Sequence, residues 1–207
     1  MGEWKLLLPW GDSTIVETVV SNALEAGLEA LVVAGFRGDE LHTLLDGRPA
    51  VTLVDNPHWR EGMLGSILCA LDRVRGEAFF VTPADMPLIG PGIYRRILAE
   101  ARSAAMTEAA RAVATAQAAI ARPGGLESRD NVGSEGNTLF AACDGRLGHP
   151  VLIPLDRMEA MRKLDRGGKM RDFLMRGPWR LVETGDRAVL ADIDNPADFA
   201  AARGGPY

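Results

Sequence analysis

Ala78-Phe79-Phe80-Val81-Thr82, followed by Ala84-Asp85-Met86-Pro87-Leu88-Ile89, is the stretch that decides the fold. The first run is short, apolar, and rich in aromatic and β-branched residues. That is the pattern of a strand covered on both faces. An aspartate just past the carboxyl end of such a strand lies where open α/β sheets bind ligands. A hard carboxylate there suits Mg²⁺ bridging to phosphates. Alone, an aspartate in this place is more often a turn or cap residue, so its neighbours decide.

Working outward, apolar runs alternate with amphipathic stretches. Ile15 to Ala26 reads as a helix opened by Asp12 or Ser13, with Glu17 placed to help cap it and Gly27 to close it. Ala30–Ala34 and Val51–Val54 read as strands, and a helix is expected between them from about Asp39 to Leu45. Met63 to Val74 carries apolar residues at 63, 64, 67, 68 and 71, a helical spacing. A further helix follows the 78–82 strand, from about Gly92 to Ala101. Such alternation predicts an α/β fold with a mostly parallel sheet. The later half is less regular. Strands are expected at 139–143, 151–153, 181–182 and 189–190, helices at 157–164 and 168–175, and a final helix from Pro196 to Arg203.

Residues 103–137 stand apart. Ser103 to Ala121 is alanine-rich and strongly helix-forming. Arg122 to Asn137 is rich in glycine, serine and asparagine without apolar periodicity, which predicts a loop. The segment reads as a helix-plus-loop insertion, either a plain surface feature or a lid or partner-binding arm.

At 207 residues the chain is long enough for one domain with its own core. A net charge of −5 argues against a nucleic-acid partner, which needs a basic face. It leaves room for a local cationic cluster. Cys69 and Cys143 sit in apolar context and read as reduced core residues. No apolar run reaches ~18 residues and no signal peptide is visible, so no membrane association and a cytoplasmic location are expected.

Four further places carry chemistry. Lys5 precedes Leu6-Leu7-Leu8-Pro9-Trp10, either as a solvated strand start or as a point charge for phosphates. Asn56-Pro57-His58-Trp59-Arg60-Glu61-Gly62-Met63-Leu64-Gly65-Ser66 follows a strand and opens a helix, where glycines admit a ligand and helix amides favour anions. Gly148-His149-Pro150 precedes another strand, and His149 is either structural or ligand-facing. Asp192-Ile193-Asp194-Asn195-Pro196 puts two carboxylates before the last helix, where Asp194 or Asn195 also suits a cap.

In this order the landmarks resemble the MobA-like nucleotidyltransferases, and within them the molybdenum cofactor cytidylyltransferases. Lys5 through Trp10 is similar to the family's Lys-x-Leu-Leu-Pro-Trp. Asn56, Pro57, Trp59, Gly62, Met63 and Ser66 match its Asn-Pro-x-Trp-x-x-Gly-Met-x-x-Ser. Asp85, Pro87 and Leu88 match its strand-end Asp-x-Pro-Leu, and Gly148, His149 and Pro150 its Gly-His-Pro. Asp192, Asp194, Pro196 and Asp198 match its closing Asp-x-Asp-x-Pro-x-Asp. The resemblance covers nearly the whole chain outside 103–137.

The resemblance implies a three-layer, Rossmann-like nucleotidyltransferase fold and transfer of CMP from CTP to molybdopterin cofactor. It implies Asp85 and Asp194 as Mg²⁺ ligands with Asp192 in reserve, and Lys5 and Asp85 as the catalytic pair. Asn56, Gly62 and Ser66 would line the nucleotide or acceptor cleft, and His149 would face the acceptor. Alternatives in the same frame are GTP or another phosphate acceptor, or a non-catalytic carrier delivering cofactor to a molybdenum hydroxylase apoenzyme. The departure is at the start. The family places a strand and a Gly-rich phosphate loop ahead of the lysine, and Met1-Gly2-Glu3-Trp4-Lys5 reproduces only the end of that loop. The expectation is therefore a single domain that is N-terminally incomplete, with weakened nucleotide binding and a gap near the centre of the sheet.

Overall fold

The computed structural model describes residues 4–120, 136–165 and 168–204. A 3-10 turn at Lys5–Leu7 leads into a small antiparallel hairpin of β1 (Pro9–Trp10) and β2 (Ser13–Thr14). Helix α1 (Ile15–Glu25) starts directly from it. Its cap is Thr14 rather than Asp12 or Ser13, because Thr14 stands three residues before Glu17, the spacing a reciprocal capping box needs. The Thr14 hydroxyl accepts from the Glu17 amide, and the Glu17 carboxylate accepts from the Thr14 amide at 3.0 Å. Two orphan amides are satisfied reciprocally.

Next come β3 (Ala30–Ala34), α2 (Gly38–Leu45), β4 (Val51–Asp55) and α3 (Met63–Ala70). The helix expected to reach Val74 stops at Ala70 and tightens into a 3-10 turn, Leu71–Arg73. After β5 (Ala78–Val81) comes α4 (Pro91–Ile120), with proline at its first position. The expected Gly92–Ala101 helix and the alanine-rich stretch are thus one element. The loop expected to follow lies largely outside the described residues.

β6 (Thr138–Cys143) and β7 (Arg146–Pro154) form a hairpin, followed by α5 (Met158–Arg162), α6 (Met170–Arg176), β8 (Trp179–Glu183) and α7 (Pro196–Gly204). Residues 189–190, expected as an edge strand, belong instead to a 3-10 turn, Arg187–Leu190. The Asp186 carboxylate caps that turn by accepting from the Ala188 amide at 2.9 Å.

β3 and β4 pair in parallel. A second sheet has the order β5-β7-β6-β8. In it β5, β6 and β8 run one way, and β7 runs against both its neighbours. Side chains alternating along β6 divide the molecule into layers. Leu139, Ala141 and Cys143 pack with Ile93, Tyr94 and Ile97 of α4 on one face. Phe140 points the other way, toward Met161 of α5 and Leu174 of α6. Every residue of β6 is buried, as a central strand requires. A third cluster joins Val16 and Val20 of α1, Ala34 of β3, and Leu41 and Leu45 of α2, with Trp4, Leu6, Leu7 and Ala84 packed against it. That packing sets Lys5 beside the loop that follows β5. Among the described residues no helix is long and apolar enough to cross a membrane.

Candidate active site

Three distant segments converge on Lys5. Its ammonium donates to Asp85 Oδ2 at 2.7 Å and to Asp194 Oδ1 at 2.8 Å. Leu6 and Leu7 anchor the 3-10 turn in the core, which leaves the Lys5 side chain facing the carboxylates. Burial alone would lower the Lys5 pKa, but its bonds to Asp194 and Asp85 more than offset this and hold it above the ordinary lysine value. Lys5 is therefore a fixed positive charge at neutral pH.

Asp85 is the interior partner, with its side chain 19% exposed against 65% for Asp194. Its carbonyl accepts from the Ile193 amide at 3.0 Å, which draws the Asp192–Asp194 segment across the end of β5. The other carboxylate oxygen, Asp85 Oδ1, is buried and has no hydrogen-bond partner. A buried carboxylate oxygen left open is costly unless something polar meets it.

Asp194 is held below the ordinary aspartate pKa by its bond to Lys5, with a smaller contribution from neighbouring Asp192. It is free for this role because Asn195 takes the cap. Asn195 Oδ1 accepts from the Ala197 and Asp198 amides at 2.8 and 3.0 Å. Asp198 Oδ2 accepts in return from the Asp194 and Asn195 amides at 3.1 and 3.0 Å. The closing motif thus divides its labour between Asn195 and Asp198, which build the turn, and Asp194, which points out of it.

The loop from 56 to 66 is braced from within. Asn56 is buried. Its Nδ2 donates to Ser66 Oγ at 3.1 Å, and its Oδ1 accepts from the His58 amide at 2.9 Å. Asn56 and Ser66 therefore serve each other rather than standing free in a cleft. Gly62 precedes α3 at φ 98°, ψ −173°, and the space where a side chain would stand there is open.

His149 is half-buried, with Nδ1 3.4 Å from the Val81 carbonyl oxygen. Burial keeps its pKa below the ordinary histidine value, so the ring is neutral at neutral pH. Gly148 beside it is required by space. A Cβ there would stand 2.0 Å from the Val189 carbonyl oxygen, so only glycine lets the 187–190 turn lie on β7. A cavity of about 220 Å³ is lined by Leu88, Leu190, Asp192, Ile193 and Asp198 among others. Lys5 and Asp85 do not line it.

Among the described residues no group of three acidic, histidine or cysteine side chains surrounds a common point. The donor set is instead a pair of carboxylates with an ammonium between them. That suits a hard cation of the Mg²⁺ kind, which keeps several waters and takes one or two carboxylates plus substrate phosphates. The open Asp85 Oδ1 is an oxygen such a cation would satisfy.

Comparison with known proteins decides the lineage. The MobA-like NTP transferase domain matches residues 1–183. The chain belongs to the MobA-like NTP transferase family. It is a nucleotidyltransferase. It is 29% identical over 203 residues to the molybdenum cofactor cytidylyltransferase of Escherichia coli K12, covering 98% of this chain and 88% of that protein. A nucleotidyl transferase from Methanothermobacter shares the fold with a TM-score of 0.71 at 21% identity, over 96% of this chain and 83% of that one. A Mycobacterium tuberculosis protein solved in complex with manganese shares it with a TM-score of 0.64 at 20% identity, over 97% and 91%. The α/β class expected from strand–helix alternation, and the Rossmann-like fold implied by the family resemblance, agree with these structures.

Sequence reasoning passed over Phe36 and Arg37, which stand at the carboxyl end of β3 beside Trp4 and Trp59. The available signal was Gly35-Phe36-Arg37-Gly38, a glycine-flanked turn directly after a buried strand.

Proposed function

We propose that this nucleotidyltransferase moves CMP from CTP to the terminal phosphate of molybdopterin cofactor and releases pyrophosphate. The observation that carries the reading is the Lys5 ammonium between Asp85 and Asp194, with Asp85 Oδ1 buried and open. The similarity to a cytidylyltransferase over nearly the whole chain supports CTP as donor and molybdopterin cofactor as acceptor.

Asp85 and Asp194 would hold Mg²⁺, with Asp192 beside them. When bound, that ion neutralises charge on the phosphate oxygens of the in-line displacement. Lys5 neutralises phosphate charge from the same place, and its two carboxylate bonds keep its side chain ordered before substrate arrives. The 56–66 loop lines the nucleotide cleft, with Asn56 and Ser66 as its internal brace and Gly62 as its open edge. His149, neutral and half-buried, faces the acceptor as a hydrogen-bonding group. A cytoplasmic location goes with these substrates. Positioning and electrostatics supply the acceleration.

The test is transfer of α-phosphate label from each of the four nucleoside triphosphates to molybdopterin cofactor in the presence of Mg²⁺. Label should move from CTP, with stoichiometric pyrophosphate. Transfer from GTP alone, or to some other phosphate acceptor alone, would replace the reading with that of a related transferase.

A further inference from the structure

At the carboxyl ends of the parallel strands β3 and β4, three aromatic rings meet outside the charge cluster. The Trp4 and Phe36 centroids are 6.0 Å apart at 88°, and those of Phe36 and Trp59 are 5.3 Å apart at 56°. The Arg37 guanidinium lies 5.4 Å over the Trp4 ring, and that of Arg60 lies 4.2 Å over Trp59. Phe36 joins the two indoles yet is 51% exposed.

The cluster is built rather than incidental. A Cβ on Gly35 would stand 2.5 Å from Trp59 Cβ, so glycine at 35 is what lets Trp59 close over the turn. The Asn56 amide donates to the Ala34 carbonyl at 2.7 Å and ties the two loops together. Arg37 adopts a left-handed backbone at φ 54°, a conformation an L residue takes at some cost. Its guanidinium is also held by Glu40, at 2.6 Å between Nη2 and Oε2. As plain core packing this makes little sense. Trp4 already rests on the inner cluster, whereas Phe36 gives up about half of the burial open to it.

We infer that Phe36, with Trp4, Trp59, Arg37 and Arg60, forms a stacking platform for the planar heterocycle of a phosphate-bearing ligand. The inference rests on the transferase reading above and names a subsite for it. Aromatic faces accept a flat heterocycle whatever its hydrogen-bond pattern. The two guanidiniums add planar stacking surface, and although Glu40 offsets the charge of Arg37, that of Arg60 favours a ligand that is both flat and anionic. Trp4 is the residue before Lys5, so the platform is continuous with the phosphate end of the site. Carboxyl ends of parallel strands are where such sheets place ligands. Two reactants of the proposed reaction share this chemistry: the donor, through its base, and the acceptor, through its pterin.

The test is quenching of intrinsic tryptophan fluorescence in the full chain, titrated to millimolar concentration with CMP, a pterin and inorganic tripolyphosphate. CMP or the pterin should quench. Phe36→Leu should weaken that ligand about tenfold, in line with loss of one stacking face, and Phe36→Tyr should restore it. Tripolyphosphate affinity should be the same in all three proteins. Loss of CMP binding assigns the platform to the donor base, and loss of pterin binding assigns it to the acceptor. Either result supports it. Equal heterocycle binding by Phe36→Leu and the parent protein overturns it, and so does quenching by neither heterocycle. Failure of the transferase reading itself shows separately, as tripolyphosphate affinity that is unchanged by Lys5→Ala.

Discussion

The amide of Ile193 donates to the carbonyl of Asp85 at 3.0 Å, joining residues more than a hundred positions apart. This backbone bond, rather than any side chain, delivers Asp194 to Lys5. The two acidic motifs are thus registered by main chain, which leaves the Asp85 and Asp194 carboxylates to meet Lys5 and one oxygen, Asp85 Oδ1, open.

Asp85→Asn should leave the fold intact and remove most turnover. The substitution keeps the shape and takes away the interior negative charge at the proposed cation position. Loss of one preorganised charge at a phosphoryl transition state costs on the order of 10²-fold or more. Single-turnover transfer under saturating Mg²⁺, with a thermal melt as control, reads the outcome. Near-parental turnover would remove Asp85 from the chemistry.

Asp194 and Asn195 should separate function from stability. Asn195→Ala removes the acceptor of two α7 amides and should cost about 1 kcal/mol in chemical denaturation. Asp194→Asn should leave stability nearly unchanged, because the side chain is largely solvated and its pair with Lys5 is screened. Its effect should appear as weaker Mg²⁺ dependence of transfer.

Gly148→Ala should destabilise the protein by about 1–3 kcal/mol. The added methyl would meet backbone, at Val189, and backbone is slow to give way. Urea titration of the variant measures this, and a midpoint equal to the parent's would contradict the packing described.

Glu17 should make stability sensitive to acid. Burial would raise its pKa, but hydrogen bonds from Thr14 and Ser13 and the pair with Arg48 hold it below the ordinary glutamate value. A group depressed on folding stabilises the native state above its unfolded value, here about 4.3. That contribution is lost as pH falls through the lower native value. Glu17→Gln should therefore be less stable than the parent at pH 7 and converge on it in acid. A constant difference across the series would rule out the linkage.

Strand–helix alternation was legible because β-branched runs and helical spacing are local properties. Asp85 and Asp194 were legible as motif members, though no spacing rule reveals that Lys5 stands between them. Asn56 was legible as a motif member, but its internal bonding was not. Its amide is consumed by Ser66 and the His58 backbone, a local turn that a one-dimensional pattern does not expose. Val189-Leu190 looked like a strand by composition, and tertiary contact with Gly148 turned it into a 3-10 turn. Phe36 carried only the glycine-flanked turn around it as a signal. Its meaning arises only when Trp4 and Trp59, from opposite sides of it in the chain, close on it.

The break in strand pairing between β3 and β5 bears on how the molecule comes apart. Among the described residues no hydrogen-bonded ladder links the β3–β4 pair to the β5–β8 sheet, so cooperativity between them runs through α1, α3, the Leu6–Leu7 turn and the ionic bonds of Lys5. Amide exchange should then report two families of protection rather than one, with β6 slowest and β3–β4 opening separately. Lys5 would act as a rivet, and a ligand gripping both sides of it would merge the two families into a single unfolding unit.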